Sequence, residues 1–159
     1  MSKSKKALII ISALAVLGTA CTISYVLGFR YGIRSGGLMS SMVEMTLADQ
    51  HMSDQMANAN CEGVRQAIND HLILLEKYRN VKGSFISETI YYGDKMFAHV
   101  RLSRIEKHMG NNKEALKHME RAREACAHRK WEDCSEEKLI WFAKHLDEKN
   151  PIACLANEK

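Results

Sequence analysis

The chain has 159 residues, 26% of them charged and 46% hydrophobic, with a single proline and nine glycines. That length leaves room for one modest domain with its own core, and the scarcity of proline, and of glycine past Gly37, argues for helices over a sheet with many turns. The formal charge of +4 is concentrated at one end: five basic and no acidic residues precede position 38, leaving 18 basic against 19 acidic, so no general affinity for nucleic acid is indicated.

Residues 1–6 form a basic tail, followed by Ala7 to Phe29, which carries no charged side chain. As a helix rising about 1.5 Å per residue, this stretch would extend about 35 Å, enough to cross a hydrocarbon core. Apolar residues continue past Gly18-Thr19-Ala20, where a cleaved secretory signal would give way to polar chain, so an uncleaved single-pass anchor over 7–29 is expected. Lys3, Lys5 and Lys6 with the free amino terminus outweigh Arg30 and Arg34, which predicts a cytoplasmic N-terminus in a bacterial inner membrane and a periplasmic C-terminal domain. Ala20, Ser24, Gly28, Gly32 and Gly36 recur every four residues and therefore share one side of a helix, a face where a second backbone can approach closely. The partners so implied are the membrane, other envelope proteins and a second copy of the chain; a plain hinge at Gly36-Gly37 is the alternative.

The run Leu17-Gly18-Thr19-Ala20-Cys21 resembles a bacterial lipobox, which would make Cys21 a lipidation site; otherwise Cys21 is a small apolar residue facing lipid. Four further cysteines, Cys61, Cys126, Cys134 and Cys154, lie in the polar part, and an even count fits disulfides in an oxidising space. Of three connectivities, Cys126 with Cys134 and Cys61 with Cys154 is favoured. The first pair flanks a short turn between predicted helices, and the second ties the ends of the 61–159 domain together.

Residues 30–60 are a juxtamembrane and methionine-rich helical segment in which Leu38, Met42, Met45, Met52 and Met56 fall on one side. Thioethers suit copper(I), although a methionine stripe serves equally as an adaptable packing surface. From Cys61 to Tyr78 the clearest helical period places Val64, Ala67, Ile68, His71, Leu72, Leu75 and Tyr78 on one face, with His71 read as a hydrogen-bonded core residue. Asn80 to Gly83 reads as a turn and Ser84 as an N-cap of a long helix to Met109, bent at Gly93-Asp94. Gly110 supplies the left-handed stop, and Asn111 with Glu114 reads as a capping box for a helix burying Ala115, Met119, Ala122 and Cys126. Ser135, with Glu136 and Glu137 behind it, opens a last helix that ends at Asn150-Pro151 and leaves Trp131 or Trp141 partly available to a partner.

In the run LSRIEKHMGNNKEALKHMERAREA, the residues Leu102, Ser103, Gly110, Ala115, Met119 and Ala122 resemble a tetratricopeptide repeat, about one copy of it over residues 99–127. His99, Glu106 and Ala127 depart from its pattern, standing where that family favours an aromatic, a tyrosine and a proline, and no second copy follows at the repeat offset. The resemblance implies an all-α helical-hairpin domain behind the transmembrane helix, and a groove that binds peptides or partner proteins. Lys95 to Lys130 holds ten basic and four acidic residues, so an acidic peptide docking on Arg101, Arg104, Lys113, Lys117 and Arg121 is the candidate contact. The alternative is a solvated face paired with Glu106, Glu114 and Glu120.

No phosphate loop, nucleophile elbow, haem, zincin or dinucleotide fingerprint is present, so no catalytic residue, cofactor or enzymatic activity is assigned. The expected function is a membrane-anchored extracytoplasmic scaffold or protein-interaction module in an envelope complex. The alternative is periplasmic copper or zinc handling by the Met39 to Met56 segment or by Cys126, His128 and Cys134 with His118, although no metal site is assigned from spacing.

Overall fold

The computed structural model describes the backbone of residues 3–156; the side chains at 3–18, 20 and 34 fall outside the described residues. Five α-helices follow one another: α1 (Lys3–Asn58), α2 (Cys61–Arg79), α3 (Glu88–His108), α4 (Asn112–His128) and α5 (Glu136–Asp147), with a 3-10 turn at Ala153–Leu155. No strand occurs among the described residues, so the protein is all-α.

The organising element is α3, because it supplies residues to all three apolar clusters. Ala98, Leu102 and Ile105 pack with Val64 and Ile68 of α2, Met56 of α1, and Ile152 and Leu155 of the tail. Met96 and Val100 pack with Met119, Ala122 and Cys126 of α4 and with Leu139 and Ala143 of α5. Tyr91 joins Met45, Leu75, Tyr78 and Ile86 at the third. A helix touched from several sides cannot be one-face amphipathic, and α3 accordingly buries consecutive residues, Ala98 to Val100 and Leu102 to Glu106. In contrast, α2 and α4 are one-faced. The buried set of α2 is Val64, Ala67, Ile68, His71, Leu75 and Tyr78, and that of α4 is Ala115, Met119, Ala122, Ala125 and Cys126, both close to the periodic stripes read from sequence.

Local chemistry fixes the helix ends. Asn60, Ser87 and Ser135 each accept a hydrogen bond from the backbone N–H three residues on, satisfying donors that a helix start leaves orphaned. Gly110, at φ 83°, turns the chain after α3 in a conformation that a Cβ would disfavour. The hairpin of α3 and α4 closes tightly enough for Ser103 Oγ to donate to the Ala115 carbonyl at 2.8 Å.

Three sequence expectations change. The start of α3 moves from Ser84 to Ser87, because residues 80–87 are spent on burying Ile86 while Ser84 Oγ accepts from Ile86 N at 3.1 Å. No break occurs at Gly93: the missing Cβ leaves the space that the Arg129 guanidinium fills, and the glycine is a passage rather than a bend. Asn111 makes no side-chain cap; its amide instead donates to Glu106 Oε2 at 2.7 Å, and Glu114 pairs with Lys117 at 2.6 Å, so the capping box does not form.

α1 continues through Gly36-Gly37 without a hinge. Gly37 is needed for close approach, since a Cβ there would stand 2.6 Å from the Lys82 carbonyl. Beyond that contact α1 projects from the domain, with Ile23, Tyr25, Leu27, Phe29 and Tyr31 exposed. Among the described residues no helix is long and apolar enough to cross a membrane. Much of the expected span, 7–18, lies outside the described side chains, as does Ala20 of the small-residue face. Ser24, Gly28, Gly32 and Gly36 are exposed, and a Cβ at any of the three glycines would meet open space.

The cysteines pair as Cys61–Cys154 and Cys126–Cys134, with Cα separations of 5.4 and 5.9 Å, and Cys21 is free and exposed. The first bond holds the tail bearing Ile152 and Leu155 against the start of α2. It spans 93 residues of sequence and the second spans 8. In the chain-entropy account the longer closure contributes about 4.5 kcal/mol and the shorter about 2.5 kcal/mol. Thermal unfolding of Cys61→Ser/Cys154→Ser should therefore show a larger drop in Tm than Cys126→Ser/Cys134→Ser; the reverse order would contradict this account of the core.

Candidate partner-binding cleft

α2 and α4 both pack on α3 and hardly touch each other, so a cleft runs along α3 between them. One cavity of about 700 Å³ is lined by Leu72, Ile73 and Glu76 of α2, Lys95 and His99 of α3, and Arg121 and Glu124 of α4, among others. A second, of about 190 Å³, shares Lys95, Arg121 and Glu124 and extends the cleft to Arg79, Tyr91, Tyr92 and His128.

The cationic groups of the smaller cavity are held in place. Arg79 lies over the Tyr91 ring, 4.4 Å from its centroid, and donates to the Tyr92 hydroxyl at 2.9 Å. Lys95 Nζ donates to Glu76 Oε1 and to the Tyr91 hydroxyl, both at 2.8 Å, and Tyr91 also donates to Glu76. Burial opposes both charges, yet these bonds outweigh it, holding the Glu76 carboxyl below and the Lys95 ammonium above their ordinary ranges. Tyr92 stacks on His128 with centroids 4.3 Å apart. Neither Arg79 nor Arg121 has a carboxylate within ion-pair distance among the described residues.

At the other end of the cleft His99 Nδ1 lies 3.1 Å from His118 Nδ1, so one ring donates and the other accepts. Burial first, then the His118, Arg121 and Lys95 charges, push His99 down to about 3, and burial and Arg121 lower His118. The pair is neutral at ordinary pH.

Of the five basic residues picked out by sequence, only Arg121 lines this cleft. Arg101 and Arg104 turn the other way and clamp buried Asp147 of α5, at 2.7 and 2.9 Å, while Lys117 pairs with Glu114 and Lys113 stands exposed outside the cleft lining. Glu106, named as a surface counter-charge, is buried against Arg65 and Asn111. His71 is buried, but its Nδ1 sits 3.0 Å from Asp49 Oδ1 without hydrogen-bond geometry, so the two are close without being bonded. Nearby Asp94 has its carboxyl pushed up by burial. Periodicity does not flag Arg79, Tyr91, Tyr92 or His99; the adjacent tyrosines are the one signal, and only the separation of α2 from α4 brings Arg79, Tyr91 and Tyr92 to the smaller cavity and His99 to the larger.

The ligands imagined for a metal are committed elsewhere. Met45 and Met56 are core residues, while Met39 and Met42 face solvent, and Cys126 and Cys134 are bonded to each other. Among the described residues no three His, Cys, Asp or Glu side chains converge as a metal site would need. Comparison with protein-family models, with curated proteins and with solved structures finds no match in any of the three.

Two predictions follow from these charges. Because His99 binds a proton near pH 6.5 when unfolded but only at about 3 when folded, its contribution to stability is complete above 6.5 and is lost as pH falls toward 3. Between about pH 7 and about pH 4 the urea midpoint of the native protein should fall more steeply than that of His99→Gln; parallel slopes would refute the assignment. Asp147→Ala leaves two guanidinium groups without their shared carboxylate and should cost about 3 kcal/mol in chemical denaturation; a loss within experimental error would show that the clamp does not hold α5.

Proposed function

We propose that this chain is a non-catalytic, single-pass membrane protein whose helical domain lies in an oxidising extracytoplasmic space and binds other envelope proteins. The observation that carries the reading is α1: the uncharged stretch read from sequence leads without interruption into a projecting helix whose apolar side chains find no partner in the domain. A water-exposed row of this kind, from Ile23 to Ile33, is unfavourable unless lipid or protein covers it. The two disulfides support the compartment, since such bonds persist where thiols are not kept reduced. The hairpin of α3 and α4, with its likeness to a tetratricopeptide unit, supports binding over catalysis, and the open face of Gly28, Gly32 and Gly36 supports packing of α1 against a second copy.

The test combines topology with thiol state in intact cells. A C-terminal periplasm-active reporter should be active, and alkylation without reductant should modify Cys21 alone; an inactive reporter with five free thiols would refute the placement. In the same membranes, Gly28→Leu/Gly32→Leu should reduce a crosslinked dimer, and an unchanged yield would remove that face from the reading.

A further inference from the structure

The structure assigns the cleft between α2 and α4 to an acidic segment of a partner protein, with Arg79 and Arg121 receiving its carboxylates and Leu72 and Ile73 an adjoining aliphatic side chain. This rests on the interaction-module reading and names the chemistry of its partner. The argument begins with charge. Around the smaller cavity stand Arg79, Lys95 and Arg121, and of the side chains that line it only Glu124 is acidic. Lys95 is paired with Glu76 at 2.8 Å, whereas Arg79 feels Glu76 only at longer range and neither guanidinium group has a carboxylate within ion-pair distance among the described residues. Arginine presents a planar fork that matches a carboxylate in two parallel bonds, and Arg79 is already oriented by the Tyr91 ring and the Tyr92 hydroxyl, so little side-chain freedom remains to be lost on binding.

Shape then selects among anions. The smaller cavity shares Lys95, Arg121 and Glu124 with the larger one, where Ile73 is 65% exposed beside Leu72. A free inorganic anion would fill only the basic end. A peptide with two carboxylates followed by an aliphatic residue would use both, laid along α3 between two helical walls. Toward the other end stands His99, hydrogen-bonded to His118 and held neutral, which offers no further positive charge, so the acidic residues belong at the Arg79 end.

The experiment uses the full-length, disulfide-bonded protein in detergent micelles and a fluorescein-labelled peptide of alternating Glu and Leu, read by anisotropy against the same peptide with Gln for Glu. Arg79→Gln/Arg121→Gln removes the two guanidinium groups that lack a direct ion pair; both residues are exposed, and unchanged circular dichroism confirms folding. Lys113→Gln/Lys117→Gln removes the same formal charge outside the cleft. The Glu peptide should bind at least about tenfold more tightly than the Gln peptide, weakening as salt rises, and the arginine variant should erase that preference while the lysine variant keeps it. Absence of a preference, or equal loss in both variants, would overturn the assignment and leave only bulk charge. Competition by anionic phospholipid vesicles, lost only in the arginine variant, would overturn it in favour of a headgroup site. None of these outcomes touches the reporter and thiol results, so failure of the cleft assignment is distinguishable from failure of the anchored-module reading.

Discussion

The burial of α3 is the constraint on which the rest depends. Tyr91, Met96, Val100, Leu102 and Ile105 are each almost fully withdrawn from solvent, yet they point to different neighbours. At about 25 cal/mol per Å² of apolar surface, such residues supply much of what holds a small domain together, and truncating any one to Ala commonly costs about 2 to 5 kcal/mol. With α3 as the axis, the end of α1, α2, α4, α5 and the tail are arranged around it. The cleft follows from the same arrangement, because two helices that both lean on a third without meeting leave a furrow above it.

Polar groups inside this arrangement are retained where they join elements that apolar contact alone joins loosely. Asp147 brings α5 to Arg101 and Arg104 of α3, Glu106 ties α3 to Arg65 of α2 and to the turn at Asn111, and Ser103 fastens α4. Each buried charge here has a hydrogen-bonded counterpart, the condition under which burial of an ion pair is tolerated. The guanidinium groups of Arg79 and Arg121, which have no carboxylate within ion-pair distance among the described residues, stand apart from this rule. They are exposed, so water solvates them, and they remain available to a ligand.

On the anchored-module proposal, the chain would face its partners from a distance that the geometry of α1 sets. The helix neither bends at Gly36-Gly37 nor ends there; Gly37 lies against the Lys82 carbonyl, so the domain is coupled to the projecting segment without a linker. On the reading advanced above, the cleft would therefore sit at a fixed height and orientation relative to the membrane, which favours partners that are themselves embedded.

Much of the fold was legible from residue order, and for local reasons. The one-faced helices α2 and α4 announce themselves by period, the Gly110 turn by its left-handed conformation, and Ser135 by its cap, all effects that act within a few residues. Cysteine number and placement likewise pointed to the pairing that the structure shows. What the tertiary structure decided was everything set by contact across helices. It decided that residues 84–87 bury Ile86 instead of starting a helix, that Gly93 admits Arg129, and that Arg101 and Arg104 are consumed by Asp147. It also decided that Arg79, Tyr91, Tyr92 and Arg121 line one cavity. A sequence lists which basic residues exist, but which of them remain unpaired depends on where their counter-charges come to rest.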